Sequence, residues 1–410
     1  MTTLQKLSQP LATSNPECVD MSDLDVLREI IGDARVVCIG ESAHYTSEFY
    51  RLKDRIMRFL VSNLGFTVFA MESGFPEGLA VDEWVLGGPG DLETTARHGI
   101  TYRFGECAEI HAQLQWMRER NSAFPSQRVR FCGMDFPGAS TSPGPAVRAC
   151  LARIPGHRGD HELIELSNLG EHAEAAARYE QLPAQDRGRL HEGIADLVDR
   201  VATHGDEVAI RCVAPLRDLL AQLDHSLAPA RNPRDEFMSS TVRWLLDHEP
   251  RIVVSAHNKH VQRIPSKSTG SPEMPVEAIP TMGSLLADDI GADMVVIGTT
   301  YGSGHTLHAA PRGPRPFDWD VSVRLLNPPR TTIDALMDEV DAPLHVVDLR
   351  HLPTDQLSEV DSMLGFDQPV HIGDFTQAFD ALIHVRKVSL VPGALRRLRD
   401  DIEAAAIHAK

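Results

Sequence analysis

No stretch of the 410-residue chain approaches the ~20 consecutive apolar residues needed to cross a bilayer, so no membrane span is expected. Residues 1–20 are polar and lack an apolar core, which argues against an export signal. No Cys-x-x-Cys pair occurs among the six cysteines, Cys18, Cys38, Cys107, Cys132, Cys150 and Cys212. Cys38 and Cys132 lie inside apolar runs. Thiols scattered in this way are expected to be reduced, cytoplasmic and without a structural metal role. No run of like charge marks a tail, and no internal repeat or low-complexity tract is present. Basic residues are outnumbered: 40 Lys and Arg against 58 Asp and Glu leave a net charge of −18. Such a surface repels phosphate backbones, so no nucleic-acid partner is expected and a polyanionic substrate is disfavoured. The expected partner is a small molecule, neutral or cationic. The oligomeric state is not legible.

What is present is an enzyme-sized apolar inventory. Hydrophobic residues make up 42% of the chain, ample for a large core. Six short apolar runs read as strands: 35–39, 67–71, 129–133, 252–256, 294–298 and 345–349. Most are continuous rather than alternating, as in a mainly parallel sheet covered on both faces. Helical spacing predicts helices over Ser47–Asn63, capped by Thr46 or Ser47, and over about Ala108–Asn121. A third opens at Asn232-Pro233, with Asp235 and Glu236 in its first turn. Residues 157–230 carry no strand signal and read as helices. The expected fold is α/β, a mainly parallel sheet flanked by helices with an all-helical insertion. The predicted organisation is an N-terminal extension (1–24), a first part of the core (25–156), the insertion (157–230), a second part of the core (231–390) and a C-terminal helix (391–410). Two stretches, 264–280 and 303–318, read as irregular loops that could act as lids.

Chemistry recurs where the predicted strands end. Gly40-Glu41-Ser42-Ala43-His44 follows the first, Glu72 the second, Asp135 the third and Ala256-His257-Asn258-Lys259-His260 the fourth. Thr299, Thr300 and Tyr301 follow the fifth, Tyr301 in a predicted loop. In a parallel sheet these ends share one edge, where ligands of open α/β sheets bind. An imidazole with carboxylates to orient it suits acid–base work. A lone Glu after a strand is more often a cap partner, and His260 alone could be a helix-face residue; the recurrence singles them out. Three mechanisms fit. His44 could deprotonate a water, with Glu41 or Glu72 fixing its tautomer and His257 or Lys53 stabilising an oxyanion. Ser42 could be a nucleophile, although Gly-x-Ser-x-His departs from the G-x-S-x-G elbow. Or Glu, His and Asp could hold a divalent cation, although Glu-x-x-His and His-x-x-His fall short of H-E-x-x-H. Tyr45, Phe75, Tyr102, Phe136 and Tyr301 could line a pocket.

These motifs resemble the erythromycin esterase family. The resemblance rests on Gly40–His44 with Glu48-Phe49, on Glu72, on Trp116–Asn121 and on Asp135. It continues through Arg234–Met238, Ala256–His260, Met282-Gly283 and Val347–Arg350, spanning about residues 25–385 in order. It implies hydrolysis of an ester or lactone, in the known resistance enzymes a macrolide lactone, as part of antibiotic resistance or secondary metabolism. It implies His44 as general base, with Glu41, Glu72, His257 and His260 at the other important positions. Substrate contacts would come from His260, Lys53, Asp135, Tyr301 and Tyr45. No cofactor is implied, with a divalent metal left open. Where the family has Arg, this chain has Lys53, a compact charge in place of a planar fork. Ser42-Ala43 and Tyr45 also depart. A biosynthetic relative using the same site for cyclisation, acyl transfer or elimination is the rival reading. A metal- or haem-binding protein without turnover is a third.

Overall fold

The computed structural model describes residues 3–170, 172–227, 231–267, 278–311 and 319–400. Nine strands form one mixed sheet. They are β1 (Ser8–Pro10), β2 (Val36–Glu41), β3 (Val68–Gly74), β4 (Arg130–Asp135), β5 (Ile252–His257), β6 (Met294–Pro311), β7 (Trp319–Leu326), β8 (Leu344–Asp348) and β9 (Ala381–Val388). Their order is β1-β8-β9-β6-β2-β5-β3-β4, with β7 paired to β6. The centre is parallel: β2 pairs with β5 and β6, β3 with β5 and β4, and β9 with β6. The pairings of β1 with β8, β8 with β9 and β6 with β7 are antiparallel.

Alternation along the central strands feeds two cores. Val36, Cys38, Val68, Ala70, Ile252 and Val254 face one, with Leu190, Leu197, Phe237 and Met282 from the covering helices. Val37, Ile39, Phe69, Met71 and Val253 face the other, with Phe49, Leu52 and Ile56. Both faces are therefore dry, which explains the unbroken apolar runs. The helix Ser47–Asn63 has its expected bounds, but Thr46 makes no side-chain cap bond. Glu48 instead accepts from the N–H and Oγ of Ser389, tying the helix start to the end of β9. Asn232 does cap Pro233–Leu246, through the N–H of Asp235. Between 157 and 227 the described elements are helices: Asp160–Ser167, His172–Gln181, Ala184–His204, Glu207–Val213 and Leu216–Leu223.

Several expectations need correcting. Residues 303–311 are not a loop; they continue β6 and pair with β7, so Tyr301 lies within a strand. Residues 312–318 lie outside the described residues. Within 264–280, Ser266–Lys267 pairs with Ala278–Ile279, and 268–277 lies outside the described residues. Strand β9 has no unbroken apolar run, because His384, Arg386 and Lys387 interrupt it. Ser8–Pro10, in the N-terminal stretch, forms the sheet edge. Residues 394–400 are helical, and 401–410 lie outside the described residues.

Gly40 shows how tightly the sheet edge is built. A Cβ there would lie 2.1 Å from Asn258 Oδ1 and 3.0 Å from Val261 Cγ2. Asn258 needs that space, because its amide meets both backbone groups of Thr299. Its Nδ2 donates to Thr299 O at 2.8 Å, and its Oδ1 accepts from Thr299 N at 3.2 Å. The side chain thus links the end of β5 to β6 across β2. Gly40→Ala is expected to lower stability by about 1–3 kcal/mol through overpacking. Urea unfolding measures this, and an unchanged midpoint would contradict the packing argument.

A second consequence concerns acid. His345 and His384 are register partners in β8 and β9, with ring centroids 5.2 Å apart and no exposure. Burial pushes both imidazoles down to about 3, and Arg386 adds to the effect on each. The unfolded chain therefore binds these protons first. The stability they contribute is complete above about 6.5 and is lost as pH falls toward 3, at about 1.4 kcal/mol per pH unit per histidine. Stability is expected to fall between pH 6.5 and 4, more steeply in the wild type than in His345→Leu. Equal slopes would contradict it.

Candidate active site

Glu41 ends β2 opposite His257 of β5, and the chain turns at once into Ser42–Thr46. One Glu41 oxygen lies 2.5 Å from His44 Nδ1, and the other is paired with the Lys53 ammonium. Lys53 reaches it from the second turn of Ser47–Asn63 and is buried, its Nζ over the Tyr50 ring. Carboxylate and ammonium thus satisfy each other in a dry place, where neither would tolerate isolation. Accepting from Nδ1–H fixes the His44 tautomer and leaves Nε2 with its lone pair. Among the described residues no group hydrogen-bonds that Nε2, and the His44 side chain is partly exposed.

A second network lies beside the first. Strand β3 shifts register against β4 between Met71 and Gly74, and this irregularity carries Glu72. Gly133 makes room: a Cβ there would lie 2.1 Å from Gly74 O. Glu72 Oε2 accepts from the N–H of His257 at 2.8 Å. Its Oε1 meets Arg234 at 2.7 Å and His260 Nε2 at 3.4 Å. Arg234 also forks onto Asp135, its Nε 2.9 Å from Oδ1. Tyr102 donates to Asp135 Oδ2 at 2.9 Å. His260 Nδ1 faces Asp235 at 2.9 Å, and Asp235 also accepts from Met282 N. Burial opposes the charge on Glu72, but the cations His260 and Arg234 outweigh it and hold the carboxyl well below its usual range. For His260 burial is likewise overcome, by Asp235 and Glu72, and the imidazole titrates above its ordinary value. The sequence reads Arg234 and Asp235 as the first turn of a helix; their role as neutralisers of this edge needs the tertiary fold.

His257 and His260 are held differently. His257 caps the short helix Asn258–Val261, its Nδ1 accepting from Lys259 N at 3.2 Å. Its Nε2 then carries the proton and donates to Ser42 O at 3.2 Å. Both nitrogens are engaged with backbone, and burial keeps the ring neutral, its pKa well below the ordinary value. His44 lies among rings: Phe104 and His257 at 5.1 Å and Phe366 at 5.2 Å. The backbone is strained here. Among the described residues the non-glycines with positive φ are Tyr45, Tyr102, Arg103, Ala139, Ser140, Phe366 and His225. All but His225 lie in the turns around this edge, as is common at functional sites.

The other candidates sit behind the cleft. Ser42 is fully buried and its Oγ has no hydrogen-bond partner among the described residues, so no base reaches it. Tyr45 is buried and donates its hydroxyl to Tyr102 O. Tyr301 has no exposure and donates to Phe366 O, so it supports the wall from behind. Phe75 and Phe136 belong to the core. Asp135 is sealed under Arg234, and Lys53 faces Glu41. Among the described residues no three His, Cys, Asp or Glu side chains are grouped so as to hold a metal ion.

Comparison with known proteins agrees with the motif pattern. The family described as erythromycin esterase matches residues 61–388. Erythromycin esterase type II of Escherichia coli is 26% identical, over 93% of this chain and 96% of its own length. A solved structure titled as a mutant of the erythromycin esterase EreC in its open conformation superposes with a TM-score of 0.71. It is 17% identical, covering 93% of this chain and 98% of that one. A solved protein titled as a succinoglycan biosynthesis protein gives 0.73 at 20% identity, covering 94% and 96%. At these identities the two structures speak for the fold. The sequence match over most of the chain carries the assignment: the protein belongs to the erythromycin esterase family and is an esterase-like hydrolase.

Proposed function

We propose that the protein hydrolyses an ester or lactone bond in a neutral or cationic organic substrate of macrolide type, using water activated by His44. One observation carries the reading: Glu41 takes Nδ1 of His44 at 2.5 Å while Nε2 keeps a free lone pair in a partly exposed position. An imidazole held in one tautomer by a carboxylate is the arrangement a general base requires. Glu41, already shared with Lys53, stabilises the imidazolium as it forms. Water loses its proton to Nε2, attacks the carbonyl carbon, and the proton returns to the leaving alkoxide. Arg234 and His260, whose side chains are partly exposed in the neighbouring network, are the hydrogen-bond donors we assign to the oxyanion. His257 holds the Ser42 carbonyl and with it the turn that carries His44. The sealed Ser42 hydroxyl supports water rather than serine as nucleophile. The likeness to the E. coli type II enzyme supports a macrolide-type substrate. The absence of a membrane-crossing helix among the described residues fits a small-molecule substrate met in solution.

The direct test is mass spectrometry of a macrolide and lactone panel incubated with the protein, before and after dialysis against a chelator. Addition of one water to a substrate is expected. A product that keeps the substrate mass would favour cyclisation or elimination instead. Because the carboxylates and histidines here already have protein partners, turnover is expected to survive chelation within about twofold; loss restored by one added metal would overturn that part. His44→Gln is expected to lower kcat by about 10²-fold or more, whereas Ser42→Ala stays near normal. Near-normal turnover in His44→Gln would end the general-base assignment. Lys53→Met is expected to reduce kcat about tenfold with KM little changed, because Lys53 acts through Glu41. A rise in KM alone would make Lys53 a substrate contact.

A further inference from the structure

Phe366 occupies a backbone position that does not suit it. It opens the two-residue loop Phe366–Asp367 between Ser362–Gly365 and Gln368–His371. Its φ is +58°, while that of Asp367 is not positive. This is the sign pattern of a type II′ turn, whose first central position favours glycine. A bulky side chain survives there only when its surroundings over-determine it. Those surroundings are specific. The N–H of Phe366 donates to Ser42 O at 2.6 Å, and its carbonyl accepts from Tyr301. Asp367 is held by His308 Nδ1 at 2.6 Å and by Arg324 at 3.3 Å. Leu364 N donates to Asp334 Oδ2 at 2.8 Å. The turn is thus fixed on both sides, and the fixed element presents a ring to the site. That ring stacks on His257 at 5.3 Å and 19° and meets His44 edge-on at 5.2 Å and 79°.

We infer that Phe366 is a positioning residue for His44: its ring holds the imidazole plane on Glu41 with Nε2 toward the cleft. The hydrogen bond to Glu41 fixes one nitrogen but leaves the ring free to tilt about it. Packing by Phe366, with Phe104 at 5.1 Å, restricts that tilt and keeps water from competing for the Glu41 oxygen. Phe366 stays partly exposed, unlike the fully buried Tyr301 behind it, which places it in the wall of the cleft. The inference rests on the general-base reading of His44 and adds a residue outside the strand-end motifs.

The test uses the full chain labelled with ¹⁵N-histidine. Long-range ¹⁵N–¹H correlation reports which ring nitrogen carries the proton and needs no substrate. The wild type is expected to show His44 as a single Nδ1–H tautomer and His257 as Nε2–H. Phe366→Ala is expected to mix the His44 tautomers. It should lower kcat by about 10- to 100-fold while KM changes less than about threefold. Phe366→Leu keeps apolar bulk and carries the test if the alanine variant does not fold; Phe366→Tyr should restore the wild-type pattern. A single Nδ1–H tautomer and unchanged kcat in the alanine variant, or in the leucine variant where that carries the test, would overturn the proposal. If the wild type hydrolyses no ester but the variants still lose the tautomer, the functional reading fails and the positioning role stands.

Discussion

The double pairing of Glu41 is the interaction on which the site rests. A carboxylate at the end of a dry parallel strand has little water to solvate it, so it must find charge or hydrogen-bond donors within the protein. Glu41 finds both, the Lys53 ammonium on one oxygen and the His44 imidazole on the other. The long helix after the turn contributes both an apolar face and the Lys53 cation. Phe49, Leu52 and Ile56 pack it on the sheet, and that packing brings Lys53 back over the strand end. Removing one partner of such a buried pair typically costs about 3–5 kcal/mol, because the other is left uncompensated. The same pairing that orients His44 therefore also holds the turn together.

The neighbouring network solves the same problem for the rest of the edge. Glu72, Asp135 and Asp235 come from three separate stretches of chain and are met by Arg234 and His260. Helix Pro233–Leu246 supplies both Arg234 and Asp235, so its proline-started, Asn-capped beginning sets a cation and an anion at adjacent positions. Ion pairs thus tie the helix, β3, β4 and Asn258–Val261 to one another. Among the described residues beside this network, His44 keeps a ring nitrogen without a protein partner, whereas His257 and His260 are both committed.

Much of this was legible in the chain. The six unbroken apolar runs marked the central strands because burial on both faces removes the need for alternation. The ionisable residues at their ends marked the edge because an apolar run gives no local reason for Glu41, Glu72 or Asp135 to close it. Tertiary partners were not legible. Nothing local distinguishes a His257 whose two nitrogens serve backbone groups from one poised to move protons. Tyr301 read as a loop residue because the Gly-, Pro- and Arg-rich stretch 303–318 follows it, yet the chain runs on as a strand into the hairpin with β7. Phe366 carried no signal at all, since its role depends on a turn that folds back from more than 300 residues along the chain to reach Ser42.

The central claim is that His44, oriented by Glu41, takes the proton from water. It is tested most directly by the pH dependence of kcat/KM in the wild type and in His44→Gln, beside an NMR titration of the His44 imidazole. The account predicts an acid limb in the wild type whose midpoint coincides with that titration and which is absent from the variant. The same limb persisting in His44→Gln would contradict it.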